Sequence, residues 1–210
     1  MDITRSRGAG ATLVVFALLL LTGCSSAPGE KSLGQASFGV SASKSTVTVT
    51  NVALSIDDLA PVAQPQTLSV PALGIDMLVE PHGLDDEGQM ALPESVFAAA
   101  WYRYGSAPAS GQGSTVIAAH VDSRVQGVGP FAALRTAQPG MEVALTDSAG
   151  VTHRYRITGV ERINKGVVPW DEYFSSVGDS RLVLVTCGGD FIEEIRNYTD
   201  NYIVTAEKVS

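Results

Sequence analysis

An all-β domain, either barrel or sandwich, is the fold class the sequence predicts, and three observations carry it. From residue 65 onward, short alternating or apolar runs recur at residues 67–70, 77–80, 114–119, 142–146, 153–160, 182–186 and 201–206. Turn-forming clusters separate them: Asp85-Asp86-Glu87-Gly88, Ala107-Pro108, Gly111-Gln112-Gly113, Pro139-Gly140 and Ser148-Ala149-Gly150. Helical periodicity is scarce, and only residues 130–136 (PFAALRT) and 170–174 read as short helical turns. Many short strands with turn signals at this spacing build barrels and sandwiches rather than layered α/β folds. No internal repeat is present.

Composition bounds the rest. The 210 residues suffice for one domain with accessory segments. A hydrophobic content of 45% against 17% charged residues supports a packed core and excludes a disordered chain. The net charge of −8 disfavours nucleic acid and anionic lipid headgroups as partners.

Residues 1–23 read as an export signal. Arg5 and Arg7 give it a positive start, and residues 11–21 form an apolar run. That run is shorter than the roughly 20 residues a membrane-spanning helix needs. It ends in Leu21-Thr22-Gly23-Cys24, which is similar to a bacterial lipobox. The resemblance implies a diacylglyceryl group on the Cys24 sulfur and cleavage that leaves Cys24 as the new N-terminus. Durable anchoring takes more than one acyl chain. Ordinary secretory cleavage after Ser25-Ser26-Ala27 and an uncleaved signal anchor are the alternatives.

Residues 24–64 read as a lipid-anchored tether. Residues 25–44 are rich in Ser, Ala and Gly and lack periodicity. A flexible segment of this size spans roughly 35 Å, enough to hold a domain clear of a membrane. Residues 45–52 (STVTVTNV) alternate as a strand does. They are either an extra edge strand or a β-prone part of the tether. The folded domain then occupies residues 65–210.

Within that domain three histidines and one thiol carry chemical potential. His82 sits in PHGLDDEGQM, a turn between strands, and reads as a surface residue. His153 lies in VTHRYRI, where His, Tyr and Ile share one parity, and reads as structural. His120 ends the apolar run STVIAA and leads into a loop containing Gly127 and Gly129. A titratable group at a strand end facing a loop is a common placement for catalytic residues. Cys187 has the same setting, at the end of RLVLVTC and before Gly188-Gly189. A buried inert thiol is the plain reading of a free cysteine. As a nucleophile it must be a thiolate, which needs a nearby cation. His120 is one candidate and Arg196 a second, able also to serve a developing oxyanion.

With His120 and Cys187 paired, the domain resembles a sortase, a cysteine transpeptidase of the Gram-positive cell surface. The resemblance covers residues 66–208, and the strand ends AAHVD and LVTC are its most specific parts. The pattern is most similar to actinobacterial class F. It implies a closed eight-stranded β-barrel with one or two short helices. It also implies that Cys187 attacks the Thr–Gly bond of an LPxTG-like sorting signal and that His120 serves as general acid and base. The thioacyl-enzyme would pass its acyl group to an amine from peptidoglycan or a pilin, or to water. The partners are thus a protein bearing a sorting signal and an amine acceptor, with no nucleic acid. The place of action is the outer face of the cytoplasmic membrane, reached through the lipid on Cys24. No metal or organic cofactor is implied; Asp85, Asp86 and Glu87 read as a solvated turn rather than a calcium site.

Two departures from the family pattern matter. The usual TLxTC reads Val183-Leu184-Val185-Thr186-Cys187, without the first Thr. More seriously, the strand after the cysteine contains no arginine. Arg196 just precedes it and is the expected third member, with Arg124 in reserve. The missing strand arginine also supports an alternative reading, a catalytically inactive sortase-like lipoprotein that binds without turnover. Other Cys–His enzymes fit less well: an SHGC-type motif of L,D-transpeptidases is absent, and papain-like enzymes place Cys before His. A Cys24–Cys187 disulfide would consume both the lipid site and the nucleophile, so none is expected.

Overall fold

The computed structural model describes residues 62–209. The export signal, Cys24, most of the tether and the alternating segment 45–52 lie outside the described residues.

Ten strands and one α-helix make up the domain: β1 (Pro65–Val70), β2 (Ile75–His82), β3 (Ala98–Tyr102), β4 (Ser114–Ala118), β5 (Asp122–Ser123), β6 (Gly127–Val128), β7 (Glu142–Asp147), β8 (Thr152–Asn164), α1 (Trp170–Tyr173), β9 (Arg181–Ile192) and β10 (Asn197–Lys208). Eight of the strands close a barrel in the order β1-β2-β3-β4-β9-β10-β8-β7, and β5 and β6 form a separate two-stranded ribbon. Closure satisfies every strand edge, which removes the template for unwanted pairing. Most neighbours are antiparallel, but β2 runs parallel to β3 and β4 parallel to β9. Each parallel pair needs a long crossing connection, and one of these carries the loop over the site.

All seven expected runs are strands, most of them longer than the alternation suggests. The two expected helical turns are present as a 3-10 turn at Pro130–Thr136 and as α1. The eighth barrel strand, β3, falls outside the expected runs. Its sequence is AAAWY, and alanine carries little β preference. Pairing makes it a strand: β2 flanks it on one side and β4 on the other. Ala99 and Ala100 are wholly buried there, and Trp101 is fixed by its indole N–H donating to Ser106 O at 3.1 Å.

Strand alternation divides the apolar residues into two clusters. Inside the barrel pack Leu68, Leu145, Tyr155, Leu182, Leu184 and Val204, with Phe131 and Leu134 from the 3-10 turn. Against the other face of β4, β9 and β10 packs a smaller cluster of Val116, Ala118, Val183, Val185, Ile203 and Tyr173. β8 shows the inward alternation plainly, with His153, Tyr155 and Ile157 buried between exposed Thr152, Arg154 and Arg156. His153 is structural, as its parity suggests: its Nε2 lies 2.7 Å from Asp147 Oδ2, and both side chains are buried.

Candidate active site

Cys187 belongs to the outer face of β9, two residues beyond Val185 and four beyond Val183. Its neighbour across β10 is Asn201. On the other side the parallel register pairs Ala118 of β4 with Val185. The Ala119 N–H donates to Val185 O at 3.2 Å, and Thr186 Oγ1 donates to Ala119 O at 2.8 Å. His120 follows two residues after Ala118, just past the end of β4, so the chain leaves the parallel β4–β9 register on the side where Cys187 lies, although 67 positions separate the two residues. Thr186 points inward, and its buried hydroxyl ties the segment just after β4 to the middle of β9, so Cys187 lies within β9, which runs on to Ile192, and not at the strand end the sequence suggests. His120 and Cys187 are each half-buried.

The thiol lies in a groove of about 630 Å³ on this outer face. Val116, Ala118 and Val185 give it an apolar lining, which Cys187 and Asn201 share. Its walls come from two loops, the β2–β3 connection with Met90 and Leu92, and the β8–β9 connection with Lys165, Trp170 and Phe174. An aromatic layer stiffens the second wall: Phe174 meets Tyr102 edge-on at 5.1 Å and Trp170 at 5.8 Å. Tyr173 anchors α1 by donating to Glu161 Oε1 at 3.0 Å. Burial first, and that bond second, push its phenol up to about 12. A second concavity, about 600 Å³, lies at the start of β9 beside Arg181 and Lys208 and contains neither thiol nor histidine.

The hydrogen-bond partner of the thiol is Lys165. Its ammonium donates to Cys187 Sγ at 3.3 Å and to Asn197 Oδ1 at 2.5 Å. The sequence reading missed this residue. It stands 22 positions from Cys187 in a loop, and a lysine in a loop carries no local signal.

The expected third residue, Arg196, occupies the exposed turn between β9 and β10. It has a left-handed backbone with φ of 49°, and its N–H donates to Glu193 O. It does not line the groove. Arg124 is also exposed and pairs with Glu193 at 3.2 Å. Together with the bond from Tyr198 OH to Asp122 Oδ2, that pair ties the segment after His120 to the β9–β10 hairpin. The bond to Asp122 is the first cause, and burial the second, that push the Tyr198 phenol up to about 12.

The two glycines after the thiol are there for the packing of side chains from β10. A Cβ on Gly188 would come within 2.3 Å of the Tyr202 ring. One on Gly189 would come within 2.2 Å of Thr199 Oγ1, and φ there is +80°. The register of β9 with β10 shifts between Tyr198 and Asp200, a bulge beside the site. Below it, Arg162 Nε donates to Asp200 Oδ2 at 2.5 Å, and this bond is the main cause holding the Asp200 carboxyl below the usual carboxylate range.

A family model described as the sortase domain matches residues 68–209, nearly all of the folded part. The chain belongs to the sortase family. It is therefore a cysteine transpeptidase, of a family associated with cell surfaces that acts on sorting-signal proteins and amine acceptors. Solved sortases share the fold. Sortase C-1 from Actinomyces oris is 15% identical with a TM-score of 0.53, over 73% of this chain and 77% of that one. Sortase A from Corynebacterium diphtheriae is 15% identical with a TM-score of 0.52, over 72% and 62%. Sortase C from Clostridium perfringens is 16% identical with a TM-score of 0.50, over 69% and 68%. Among curated proteins no relative matches. Among the described residues of this sortase, no helix is long and apolar enough to cross a membrane.

Proposed function

We propose that this sortase is a lipid-anchored enzyme of the actinobacterial class F type. In this reading residues 1–23 are the lipoprotein signal, Cys24 carries the lipid, residues 24–64 are the tether and residues 65–210 are the catalytic domain. The substrate is a secreted protein with an LPxTG-like sorting signal, cut between Thr and Gly at the outer face of the cytoplasmic membrane. One observation supports the chemistry: Cys187 lines an apolar groove on β9, beside the strand β4 that leads into His120.

The steps follow from that arrangement. An extended apolar signal lies along the floor of the groove with its scissile carbonyl at Cys187. The Sγ thiolate adds to the carbonyl carbon, and the C–N bond breaks as His120 protonates the leaving amine. The thioacyl-enzyme then meets an acceptor amine, from a peptidoglycan precursor or a pilin. His120 takes a proton from that amine as it attacks, a new amide forms, and Sγ leaves as thiolate. Water in place of the amine gives hydrolysis.

The test is incubation of the full chain with LPxTG-type peptides and an amine, read by mass spectrometry. We expect an acyl adduct on Cys187 and the ligated product, both absent in Cys187→Ala. Equal inertness of the two proteins toward a broad peptide set would favour the binding-only reading suggested by the lack of arginine in β10. The same spectra, taken on protein from membranes, are expected to show a diacylglyceryl group on an N-terminal Cys24; an unmodified Cys24 would remove the lipid anchor.

A further inference from the structure

We propose that Lys165 is the cation of the nucleophile in this enzyme, filling from the β8–β9 loop the charge role that no arginine of β10 supplies. The inference rests on Cys187 being the nucleophile. Three observations support it. The residue facing Cys187 across β10 is Asn201, a neutral amide. Arg196 and Arg124 are both exposed, the first in a turn outside the groove and the second paired with Glu193. The Lys165 ammonium, by contrast, is within hydrogen-bond distance of Sγ at 3.3 Å, inside the groove.

The placement of Lys165 is built, not incidental. Asn164 caps the 3-10 turn Lys165–Val167, accepting from Gly166 N at 3.1 Å. Its amide donates to Thr199 O at 3.2 Å and to Asp200 Oδ1 at 3.4 Å. Asp200 is itself held by Arg162. The base of the loop is thus fastened to β10 next to the site. At the tip of the side chain, Asn197 Oδ1 accepts from Nζ at 2.5 Å and from Tyr198 N at 2.9 Å, so a second fixed acceptor aims the ammonium.

An ammonium beside sulfur favours the thiolate over the thiol. When the Sγ proton is given up to solvent, the ammonium stands beside the sulfur that has become negative. During acylation the negative charge moves from sulfur to the carbonyl oxygen, and it returns to sulfur when the thioester is consumed. Lys165 is therefore a permanent countercharge, and His120 alone exchanges protons with the two amines. This division explains how the site tolerates Asn201 opposite the thiol.

The experiment measures alkylation of Cys187 in the full chain by iodoacetamide from pH 5 to 9, with site occupancy read by peptide mass spectrometry. Lys165→Met is expected to slow alkylation at pH 7 about tenfold and to move the pH profile upward, because it lowers the thiolate fraction. Lys165→Arg, which keeps the charge, is expected to stay within about threefold of wild type, and Arg196→Ala within about twofold. Lys165 is half-exposed, so the variants fold, which circular dichroism checks. A Lys165→Met profile that overlays the wild type, or a loss on Arg196→Ala instead, would overturn the assignment. The readout needs no peptide substrate. Failure of LPxTG turnover with a Lys165-dependent alkylation profile would overturn the substrate and leave this assignment standing.

Discussion

The two faces of β9 are both apolar but are covered in different ways. Leu182 and Leu184 point into the barrel, are fully buried, and belong to the cluster that fills it. Val183, Val185 and Cys187 point the other way, under two loops rather than under a sheet. The inner face is sealed on all sides by strands that hydrogen bonds hold in register. The outer face is covered only where the loops reach, and the cover ends at Cys187. A strand buried on both faces loses its alternation, which is why RLVLVTC reads as one apolar run. Such a strand gives the enzyme a rigid rail: the inner side chains hold it in place, and the outer ones present the thiol.

This contrast can be broken most sharply by one substitution on each face. Leu184→Ala should cost roughly 2–5 kcal/mol, since it opens a cavity where nothing can collapse. Cys187→Ala should abolish turnover while shifting stability by no more than about 0.5 kcal/mol, as a half-exposed small residue. Urea denaturation beside a peptide assay checks both. If Cys187→Ala unfolds as readily as Leu184→Ala, the division of labour between the faces is wrong.

A smaller effect lies in the polar pair on the inner face. The hydrogen bond from His153 is the largest cause lowering the Asp147 carboxyl from its ordinary value; burial opposes it, and N–H donors of Val151 and Ala149 add to it. A carboxylate whose folded value is depressed stabilises the fold above its ordinary value of about 3.9. That contribution is lost as pH falls through the lower value of the folded state. Wild-type stability should therefore decline across the acid range, and Asp147→Asn should decline less steeply from a lower plateau. Parallel acid limbs for the two proteins, measured by denaturation from pH 7 to 2, would show that the pair does not govern acid stability.

The smallest effect concerns Tyr155, also on the inner face. Its hydroxyl is buried near that of Thr115, and among the described residues neither makes a hydrogen bond of good geometry. Tyr155→Phe should change stability by less than about 1 kcal/mol, because no well-formed bond is lost. A loss of 2 kcal/mol or more in urea melts would mean that the hydroxyl is satisfied in solution and that the inner face is wetter than it looks.

Much of this was legible in the chain because it is local. Alternation along VTHRYRI placed His153 inward beside Tyr155, and Gly-, Pro- and Asp-rich clusters marked most of the turns. The strand β3 was not legible, since AAAWY has no pattern of its own and owes its conformation to β2 and β4. In the site, His120 and Cys187 stood out as polar groups terminating apolar runs, although β9 continues past Cys187 to Ile192. Lys165 did not. Its meaning comes from a fold-back that brings the end of β8 against β10, and from the Asn164, Asp200 and Asn197 contacts that aim it.

By itself, then, the sequence determined the fold class and most of the strands, and it singled out His120 and Cys187 as the candidate pair for proton exchange and attack on a carbonyl. Periodicity and turn chemistry act over a few residues, so a linear reading can find them. Only the tertiary structure decided which cation meets the thiol. The parallel pairing of β4 with β9 runs to Ala118 and Val185, two residues short of His120 and Cys187, and the antiparallel pairing of β10 with β9 sets Asn201 opposite the thiol. Charges act through space over a few ångströms, and neither the 22-residue gap to Lys165 nor the nine-residue gap to Arg196 says which of them lies that close.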